Sequence, residues 1–495
     1  MNITLDKVID ALQEKGVLER YSKNLKLSEM EINNLSYDSR DVSNKTLFIC
    51  KGKLFKSEYL NKSIDNGVIA YISEEYYEDI PDTIAYIIVK DIREAMYIVA
   101  DTCYGHAWKD IKTVGITGTK GKTTTTHYLN NILERHLGKR CGMISTIETY
   151  TGKRLEESHL TTPEAPDLHK FFRETKDSNI PILIMEVASQ GYKVKRTNGI
   201  TFDIGAFLNI SEDHISDVEH SDFEDYLNCK LEFMKNVKTA IININTDFYE
   251  SVVHASSNAK KIITYGYDVA ADYYISNIKK EGIFINFTVN SKGYKSNFKT
   301  KMQGKFNVEN ALAAIIIAKE LGVSEKNIKE GIASTEIRGR MNIFEKDGIT
   351  VVVDFAHNRL SFSALYEMIK QDYPNRRVIS VGGAPGGKAY ARRKDFGEII
   401  GEGSDYIYLT ADDPQFEKVR DICLDIATFI DGEDKWEIIE DRKEAIEKAL
   451  DNAKKGDIIV FLAKGEEVYQ KIKGEFIPYE SDLILAKEWS NGNKT

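Results

Sequence analysis

TVGITGTKGKTTTT, residues 113–126, connects an apolar run rich in β-branched residues to a helical run through a glycine-rich turn. This order predicts a strand, a phosphate-binding loop and a helix. Gly118 and Gly121 let the backbone curl so that successive N–H groups point at phosphate oxygens, and the following helix adds its positive end. The pattern places Lys122 to reach the β- and γ-phosphates and Thr123 to bind Mg²⁺.

The loop departs from the general phosphate-loop pattern at one position, where Ile116 stands in place of a glycine. A glycine-rich turn with an unrelated lysine is therefore the alternative interpretation. The flanking strand and helix favour nucleotide binding, and the other polar loop residues, Thr119, Lys120 and Thr124, are predicted nucleotide contacts.

The composition is that of an ordinary globular protein, and its 495 residues suggest about three domains of roughly 150 residues each. A net charge of −10 gives no indication of a nucleic-acid surface. The five cysteines are scattered, without C-x-x-C spacing, which predicts free thiols in a reducing compartment and no zinc site. We find neither a signal peptide nor an apolar run of about 20 residues, so a cytoplasmic protein is expected.

Alternating strand-like and helical runs divide the chain into three predicted α/β domains. Residues 1–106 form a small N-terminal α/β domain. Residues 107–337 form a central phosphate-loop domain with a doubly wound parallel sheet, in which residues 274–300 are expected to be a short antiparallel hairpin insertion. Residues 338–495 form a C-terminal Rossmann-like domain.

Polar side chains follow two apolar strands of the central domain. Glu186 ends the run 182–187, and His214 follows the run 204–208. In parallel sheets, ligands bind beyond the carboxyl ends of the strands, so both residues are candidate metal ligands beside the phosphate loop. The alternatives are an acid that caps a loop and a hydrogen-bonded core histidine.

The motifs together resemble those of the Mur ligase family, most of all its MurE-type branch, over nearly the whole chain. The landmarks, in chain order, are Asp38-Ser39-Arg40, TGTKGKTT, Thr161-Thr162-Pro163, MEVASQG, NISEDH, Tyr226-x-x-x-Lys230, GKFNVEN, RGRM, VVVDFAHN, LTADDPQFE and AKGEEVYQ. The resemblance implies an ATP-dependent ligase that joins an amino acid to UDP-N-acetylmuramoyl-L-alanyl-D-glutamate through an acyl-phosphate, in peptidoglycan precursor synthesis.

The resemblance also implies the roles of the central residues. Lys122, Glu186, His214 and Lys230 would be catalytic. Mg²⁺ would be held by Thr123, Glu186, His214 and Lys230, the last as a CO₂-derived carbamate. Without the family match, Lys230 is an ordinary solvated helical lysine.

Further ATP contacts implied by the family are Asn310, Arg340, Asp354 and His357. A hinge salt bridge is the alternative for Arg340, and a strand-end cap for Asp354.

The UDP-linked substrate would lie between the first two domains, with candidate contacts at Ser39, Thr161, Thr162, Ser189 and Arg196. Read alone, Asp38-Ser39-Arg40 is equally a capped turn with a solvated arginine. Ala188 stands where the family usually has the first of two serines, so one expected hydroxyl contact is missing.

The incoming amino acid would contact the C-terminal domain, where the family positions are Arg393, Asp412, Asp413, Pro414, Gln415, Glu417 and Glu467. Members that add meso-diaminopimelate carry Asp-Asn-Pro-Arg, whose arginine binds the distal carboxylate. Gln415 replaces that arginine and Asp413 the asparagine, so the loop resembles that of L-lysine-adding members. The meso-diaminopimelate reaction stays an alternative, since Lys388, Arg392 or Lys464 could replace the arginine.

The expected partners are a UDP-linked muramoyl dipeptide and a free amino acid, with no nucleic acid, no membrane insertion and a monomeric chain. Three rival functions remain open. They are a folylpolyglutamate-type ligase, a nucleotide-switch module without ligase activity, and a related ligase with a different acceptor. The N-terminal domain disfavours the first, and the group Glu186, His214 and Lys230 disfavours the second.

Overall fold

The computed structural model describes residues 3–52, 55–158, 160–212, 215 and 219–492. Three α/β units follow one another along the chain, each built on one main sheet. The predicted fold class is therefore confirmed, whereas the domain boundaries at 106/107 and 337/338 stay predictions. Within the described residues, none of the helices has the length and apolarity that crossing a bilayer requires.

The first unit is a small, mostly parallel sheet with three helices. Its strands are β1 (Ile3–Thr4), β2 (Leu18–Tyr21), β3 (Glu31–Ile32), β4 (Asn34–Ser36), β5 (Thr46–Ile49), β6 (Val68–Ser73) and β7 (Ala85–Val89). Its helices are α1 (Leu5–Glu14), α2 (Ser57–Ile64) and α3 (Ile92–Cys103). The main sheet has the order β2-β7-β6-β5-β4, with β2 antiparallel to β7, and β1 pairs separately with β3.

The central unit is built on an eleven-stranded sheet. Its strands are β8 (Lys112–Thr117), β9 (Gly142–Ile144), β10 (Glu148–Tyr150), β11 (Leu155–Glu157), β12 (Ile182–Glu186), β13 (Phe202–Phe207), β14 (Val237–Asn243), β15 (Lys261–Gly266), β16 (Tyr273–Glu281), β17 (Phe284–Ser291) and β18 (Tyr294–Thr300). Its helices are α4 (Lys122–Leu137), α5 (Ala165–Asp177), α6 (Ser189–Lys193), α7 (Phe223–Lys235), α8 (Tyr249–Ala255), α9 (Lys305–Glu320) and α10 (Glu325–Ser334).

The central sheet has the order β11-β10-β9-β12-β8-β13-β14-β15-β16-β17-β18, and the six strands from β9 to β15 are parallel. Strands β8 and β12 are parallel neighbours. The phosphate loop after β8 and Glu186 at the end of β12 therefore lie at the same edge of the sheet. Apolar β-branched residues fill both strands, as is typical of parallel strands covered on both faces.

The prediction of a short antiparallel hairpin insertion at residues 274–300 is wrong. The segment is a three-stranded antiparallel meander, β16–β17–β18, and β16 pairs in parallel with β15, so the meander extends the central sheet. Alternate side chains such as Ile285, Phe287 and Val289 are buried in the same apolar core as helix α9. Burial of this face explains why the segment joins the sheet instead of forming a separate hairpin.

The C-terminal unit has a six-stranded sheet of order β19-β20-β24-β21-β22-β23, parallel except for the β19–β20 pair. The strands are β19 (Asn342–Lys346), β20 (Ile349–Asp354), β21 (Val378–Gly382), β22 (Tyr406–Leu409), β23 (Trp436–Ile438), β24 (Ile458–Leu462), and a separate hairpin of β25 (Tyr469–Ile472) and β26 (Glu475–Pro478). The helices are α11 (Arg359–Asp372), α12 (Ala391–Asp395), α13 (Gly401–Gly403), α14 (Val419–Ala427), α15 (Arg442–Asp451) and α16 (Asp482–Asn491), with a π-helical turn at Phe396–Ile400.

The apolar core decides how the units are joined. One cluster of buried side chains runs from β8 through α9 into β20, β21, β22 and β24, whereas the first unit has a core of its own. The central and C-terminal units are therefore packed as one body, and the loops after their strands lie around a common cleft.

Candidate active site

The phosphate loop follows β8 and leads into α4. Gly121 adopts a left-handed conformation with φ of 85° and is the N-cap of α4, so no side chain caps the first N–H groups of this helix. A Cβ atom on Gly121 would lie 2.2 Å from Asn310 Oδ1. Both the backbone angle and the closeness of Asn310 therefore require glycine, and the helix end is suited to an anion.

Two lysines point at one backbone oxygen of the loop. Lys122 Nζ donates a hydrogen bond to Gly118 O at 2.8 Å and to Thr119 O at 3.2 Å. Lys230 Nζ, from α7, donates to the same Gly118 oxygen at 3.0 Å. The Lys230 residue is only 2% exposed, so the alternative of a solvated lysine is wrong.

Tyr226 lies one helical turn before Lys230 and also faces the loop. Its hydroxyl is 2.9 Å from Thr119 Oγ1, and Lys230 Nζ lies 4.8 Å from the centre of its ring. The Tyr226-x-x-x-Lys230 spacing thus places both side chains on the α7 face that contacts the phosphate loop.

Glu186 is fully buried at the carboxyl end of β12. Its Oε2 atom accepts hydrogen bonds from the hydroxyls of Thr123 and Thr146, each at 3.1 Å, and Oε1 accepts from the Thr146 N–H at 2.8 Å. A carboxylate and a hydroxyl this close are hard oxygen ligands that fit Mg²⁺. The third predicted ligand, His214, lies outside the described residues.

The C-terminal unit reaches the phosphate loop through His357. The His357 Nδ1–H group donates to Phe355 O at 2.7 Å, which leaves Nε2 to accept from Lys120 Nζ at 2.9 Å. The Arg340 guanidinium lies 4.2 Å from the centre of the Phe355 ring. The structure thus brings three predicted ATP-binding residues from two units together.

Asp354 ends β20 and accepts a hydrogen bond from the Met341 N–H at 2.8 Å. Burial raises the pKa of Asp354, and the nearby Arg340 charge opposes the shift. Burial likewise lowers the pKa of Arg340, against the attraction of Asp354 and Glu186. The two groups are therefore an electrostatically coupled pair within the C-terminal unit.

One cavity of about 340 Å³ collects most of these groups. The central unit lines it with the loop residues 119–124, Thr146, Thr161 and Glu186, and the C-terminal unit with Arg340, His357, Lys388, Arg392, Asp412, Asp413 and Glu467. The predicted nucleotide and amino-acid residues therefore face a shared space, as a reaction between their ligands requires.

The acids expected to bind the amino acid are already paired with a lysine. Lys464, whose side chain is fully buried, lies 2.9 Å from Asp413 Oδ1 and 2.5 Å from Glu467 Oε2. Burial raises the pKa of Asp412 to about 6, although the Lys464 charge acts in the opposite direction. The cluster of three acids and one lysine has a net negative charge when all its members are ionised.

Arg393 and Glu417 are paired with each other. Arg393 is 5% exposed, and its guanidinium lies 2.8 Å from Glu417 Oε1 and 3.1 Å from Asp425 Oδ2. Binding of a substrate carboxylate by Arg393 would require an exchange of partners, and that role stays a prediction. The neighbouring Lys388 and Arg392 line the cavity instead.

Pro414 and Gln415 shape the loop. The Pro414 carbonyl accepts from the Glu417 N–H at 3.0 Å, and the Gln415 backbone bonds to Lys471 O at 2.9 Å and Lys473 N–H at 2.7 Å. These bonds attach the loop to the β25–β26 hairpin. The loop also supplies less unpaired negative charge than its sequence indicates, because Glu417 is bound by Arg393.

Ser39 lies in a second cleft, of about 400 Å³, in the first unit. The cleft is lined by Tyr37, Asp38, Ser39, Arg40, Phe48, Lys51, Gly52, Phe55 and Tyr59. Arg40 is solvent-exposed and paired with Asp38 at 2.6 Å, as in the capped-turn alternative, whereas Ser39 faces a space with aromatic walls.

Thr162 and Arg196 are held by protein partners. The Thr162 hydroxyl donates to Glu186 O at 3.2 Å and accepts from the Ala188 N–H at 2.9 Å. Arg196 donates to Thr162 O at 3.1 Å and to Glu164 at 3.0 Å. These two candidates therefore support the loop after β12, and their substrate contacts stay predictions.

Thr161 and Ser189 also contact protein groups, and Thr161 lines the cavity. The Thr161 hydroxyl lies 3.2 Å from that of Thr146 and faces the cavity. The Ser189 hydroxyl is bound by His220 at 2.9 Å. Three residues of this neighbourhood, Thr146, Glu164 and His220, had no role assigned from the sequence, because their contacts come from distant segments.

Comparison with known proteins places two stretches in one family. The Mur ligase middle domain matches residues 116–318, and the Mur ligase glutamate ligase domain matches residues 339–465. The chain is 36% identical to the UDP-N-acetylmuramoyl-L-alanyl-D-glutamate–L-lysine ligase of Enterococcus faecalis, covering 99% of both chains. It is 39% identical to the protein of the same name from Streptococcus agalactiae, covering 98% of this chain and 99% of the relative.

A solved UDP-N-acetylmuramoyl-L-alanyl-D-glutamate–2,6-diaminopimelate ligase shares the fold, with a TM-score of 0.66 over 99% of both chains at 23% identity.

Proposed function

The chain belongs to the Mur ligase family, and on that basis we propose that it catalyses the ATP-dependent addition of L-lysine to UDP-N-acetylmuramoyl-L-alanyl-D-glutamate. The names of the Enterococcus and Streptococcus relatives support this substrate and this amino acid. The observation that carries the proposal is the shared cavity, in which the phosphate loop and Glu186 face Asp412, Asp413 and Glu467.

The reaction would proceed in two steps. A substrate carboxylate oxygen attacks the γ-phosphorus, the bond to the bridging oxygen breaks, and ADP leaves. The amine nitrogen then attacks the acyl carbon of the acyl-phosphate, phosphate leaves, and the nitrogen loses a proton. Lys122 and the N–H groups at the start of α4 would hold the transferring phosphoryl group against the repulsion of the carboxylate.

The oxygen atoms of Thr123 and Glu186 would hold Mg²⁺, with His214 as a further proposed ligand. When bound, this ion neutralises phosphate charge. Lys230 is proposed to carry a CO₂-derived carbamate and to hold a second Mg²⁺.

We assign nucleotide contacts to Asn310, Arg340, Asp354 and His357. Asp354, at the end of β20, is suited to a ribose hydroxyl, as acids at strand ends are in related α/β folds. The Lys120–His357 contact would keep the C-terminal unit next to the bound nucleotide and so exclude water from the acyl-phosphate.

The side-chain ammonium of L-lysine would be held by Asp413 and Glu467. The distal carboxylate of meso-diaminopimelate would instead meet these acids, and an unpaired buried charge costs several kcal/mol. Lys388 and Arg392 line the same cavity and are the observation that favours meso-diaminopimelate as the second candidate substrate.

The UDP end of the substrate is assigned to the cleft around Ser39, and its peptide end to Thr161, Thr162, Ser189 and Arg196. The aromatic walls of the cleft suit a stacked uracil ring. We also propose a monomer that acts in the cytoplasm.

The test is ligation by the purified protein with ATP, Mg²⁺ and UDP-N-acetylmuramoyl-L-alanyl-D-glutamate. L-lysine and meso-diaminopimelate compete at equal concentration, and mass spectrometry resolves the products. We expect phosphate release that requires both substrates and a predominantly lysine product. A dominant diaminopimelate product would contradict the choice of amino acid. Phosphate release only with a folate acceptor would contradict the whole assignment.

A further inference from the structure

Two hydrogen bonds connect the buried Ser189 and His220 to the partly buried Asp225. His220 Nε2 lies 2.9 Å from Ser189 Oγ, and His220 Nδ1 lies 3.0 Å from Asp225 Oδ2. His220 is fully buried and Ser189 is 6% exposed. A histidine between a hydroxyl and a carboxylate has its two ring nitrogens in distinct roles.

The partners of Asp225 decide the direction of these bonds. Burial opposes ionisation of Asp225, but hydrogen bonds from Lys193 and His220 outweigh it and hold the pKa of this carboxyl below its usual value. An ionised carboxylate only accepts, and the full burial of His220 favours the neutral ring, so the ring proton lies on Nδ1. Nε2 then accepts from the Ser189 O–H group, and the Ser189 oxygen keeps its lone pairs for other donors.

The surroundings fix this arrangement in place. Ser189 begins α6, three residues after Glu186 at the end of β12. The His220 ring packs edge-on against Tyr226, with 5.3 Å between ring centres, and Tyr226 in turn bonds to Thr119 of the phosphate loop. The hydrogen-bonded residues Ser189, His220 and Asp225 are thus attached to the phosphate loop and to helix α7, which carries Lys230.

We propose that His220 is a positioning residue that holds the Ser189 oxygen as a hydrogen-bond acceptor for an N–H group of the peptide part of the substrate. The inference rests on the proposed function, because the alanyl-glutamate amide supplies such an N–H group. If the Ser189 hydroxyl rotated freely, it could also donate its proton to a carboxylate. The bond to His220 prevents this, because the Ser189 proton is directed at Nε2.

Two other roles fit the same atoms less well. The order Ser-His-Asp also activates serine nucleophiles, but the proposed reaction passes through an acyl-phosphate and needs no acyl-enzyme. The Cys229 thiol lies 3.8 Å from Asp225, so His220, Asp225 and Cys229 resemble a metal site. Lys193, 2.6 Å from the Asp225 carboxylate, already supplies a cation there.

A matched pair of variants separates the two bonds of His220. His220→Asn places an amide near the Nδ1 position, where it can still donate to Asp225 but does not reach Ser189. His220→Gln places an amide oxygen near the Nε2 position, where it can accept from Ser189. We expect KM for the UDP-linked dipeptide to rise roughly tenfold in His220→Asn, the size of one hydrogen bond, and to be largely restored in His220→Gln.

Ser189→Ala should raise this KM as much as His220→Asn, and the double variant should show no further rise, because both changes remove the same contact. KM for ATP and for lysine should stay at the wild-type values. His254→Asn, on the exposed side of α8, is the control and should leave all three constants unchanged.

The inference is overturned if His220→Asn keeps the wild-type KM for the UDP-linked dipeptide. It is also overturned if this KM rises equally in His220→Asn and His220→Gln. Labelling of Ser189 by a fluorophosphonate would also overturn it, since that result indicates a nucleophile. The proposed function is judged separately on the wild-type protein. If the wild type ligates and His220→Asn is unaffected, only the inference fails; if the wild type neither binds nor ligates the UDP-linked dipeptide, both fail.

Discussion

Lys122 and Lys230 both donate to the Gly118 oxygen, so two ammonium groups are close neighbours in the candidate site. Like charges at such a distance repel each other. The phosphates of a nucleotide would pair with Lys122, and a carbamate would make Lys230 an anion. The charges of these two side chains are therefore the first property to test.

We predict that Lys122→Ala lowers the ligation rate by at least about a hundredfold, because the transferring phosphoryl group loses a fixed cation. Initial rates of phosphate release measure the effect, and a thermal melt close to that of the wild type shows that the fold survives. Lys292→Ala, on an exposed turn, is the control and should be fully active. Wild-type turnover in Lys122→Ala would refute the phosphate-loop assignment.

We predict that Lys230→Ala loses most activity and that formate or acetate restores part of it. A small carboxylate can enter the space left by the side chain and replace the anionic carbamate, whereas methylamine cannot. Ligation rates in the presence of each additive measure the rescue. Lys235→Ala, an exposed lysine of the same helix, should behave as the wild type with or without additives. Rescue by methylamine alone would show that Lys230 acts as a cation.

At the scale of secondary-structure elements, the candidate site is formed by residues at the carboxyl ends of parallel strands. Glu186 ends β12, Asp354 ends β20, and Asp412 lies three residues after β22. Each residue follows a buried apolar strand, so its backbone position is well determined. The two sheets meet with these ends around one cavity, and acids that are far apart in sequence become neighbours.

We expect Asp412 to make amino-acid binding dependent on pH. Burial raises the pKa of Asp412 to about 6, so the carboxyl is charged above that pH and neutral below it. The side-chain ammonium of lysine stays charged on both sides of pH 6, so its attraction to the acidic cluster of Asp412, Asp413 and Glu467 would weaken as the pH falls. We predict that KM for lysine rises as the pH falls through about 6 and that Asp412→Asn flattens this profile. An unchanged profile in Asp412→Asn would contradict the assignment.

At the scale of the whole molecule, the units are joined in two different ways. The central and C-terminal units share a continuous apolar core, whereas the first unit has a separate core that takes in only Ala165 of α5 and meets the central unit through a cluster of charged groups. Glu164 is the centre of that interface, within 3.1 Å of Lys51, 2.9 Å of Arg93 and 3.0 Å of Arg196. The position of the cleft around Ser39 relative to the phosphate loop depends on this contact.

We predict that Glu164→Gln weakens the interface by about 3 kcal/mol, because it leaves three cations around a neutral side chain in a largely buried site. Hydrogen exchange in α3, which carries Arg93, should become faster. Glu94→Gln breaks an exposed contact with Lys195 across the same interface and should cost less than about 1 kcal/mol. Equal effects of the two variants would show that the buried contact does not hold the first unit in place.

The sequence by itself determined the fold class, the phosphate loop and most strands. These features depend on local patterns, such as β-branched runs before glycine-rich turns, which the chain carries wherever it folds. The position of Glu186 beside the loop was also predictable, because neighbouring parallel strands end at the same edge.

Only the tertiary structure decided the partners of the charged groups and the course of residues 274–300. Arg393 pairs with Glu417, Lys464 binds Asp413 and Glu467, and Lys230 is buried, and each result depends on which segments meet in space. The meander joins the central sheet because its apolar face packs into the core of α9. Burial and pairing are properties of the packed chain, so local sequence does not contain them.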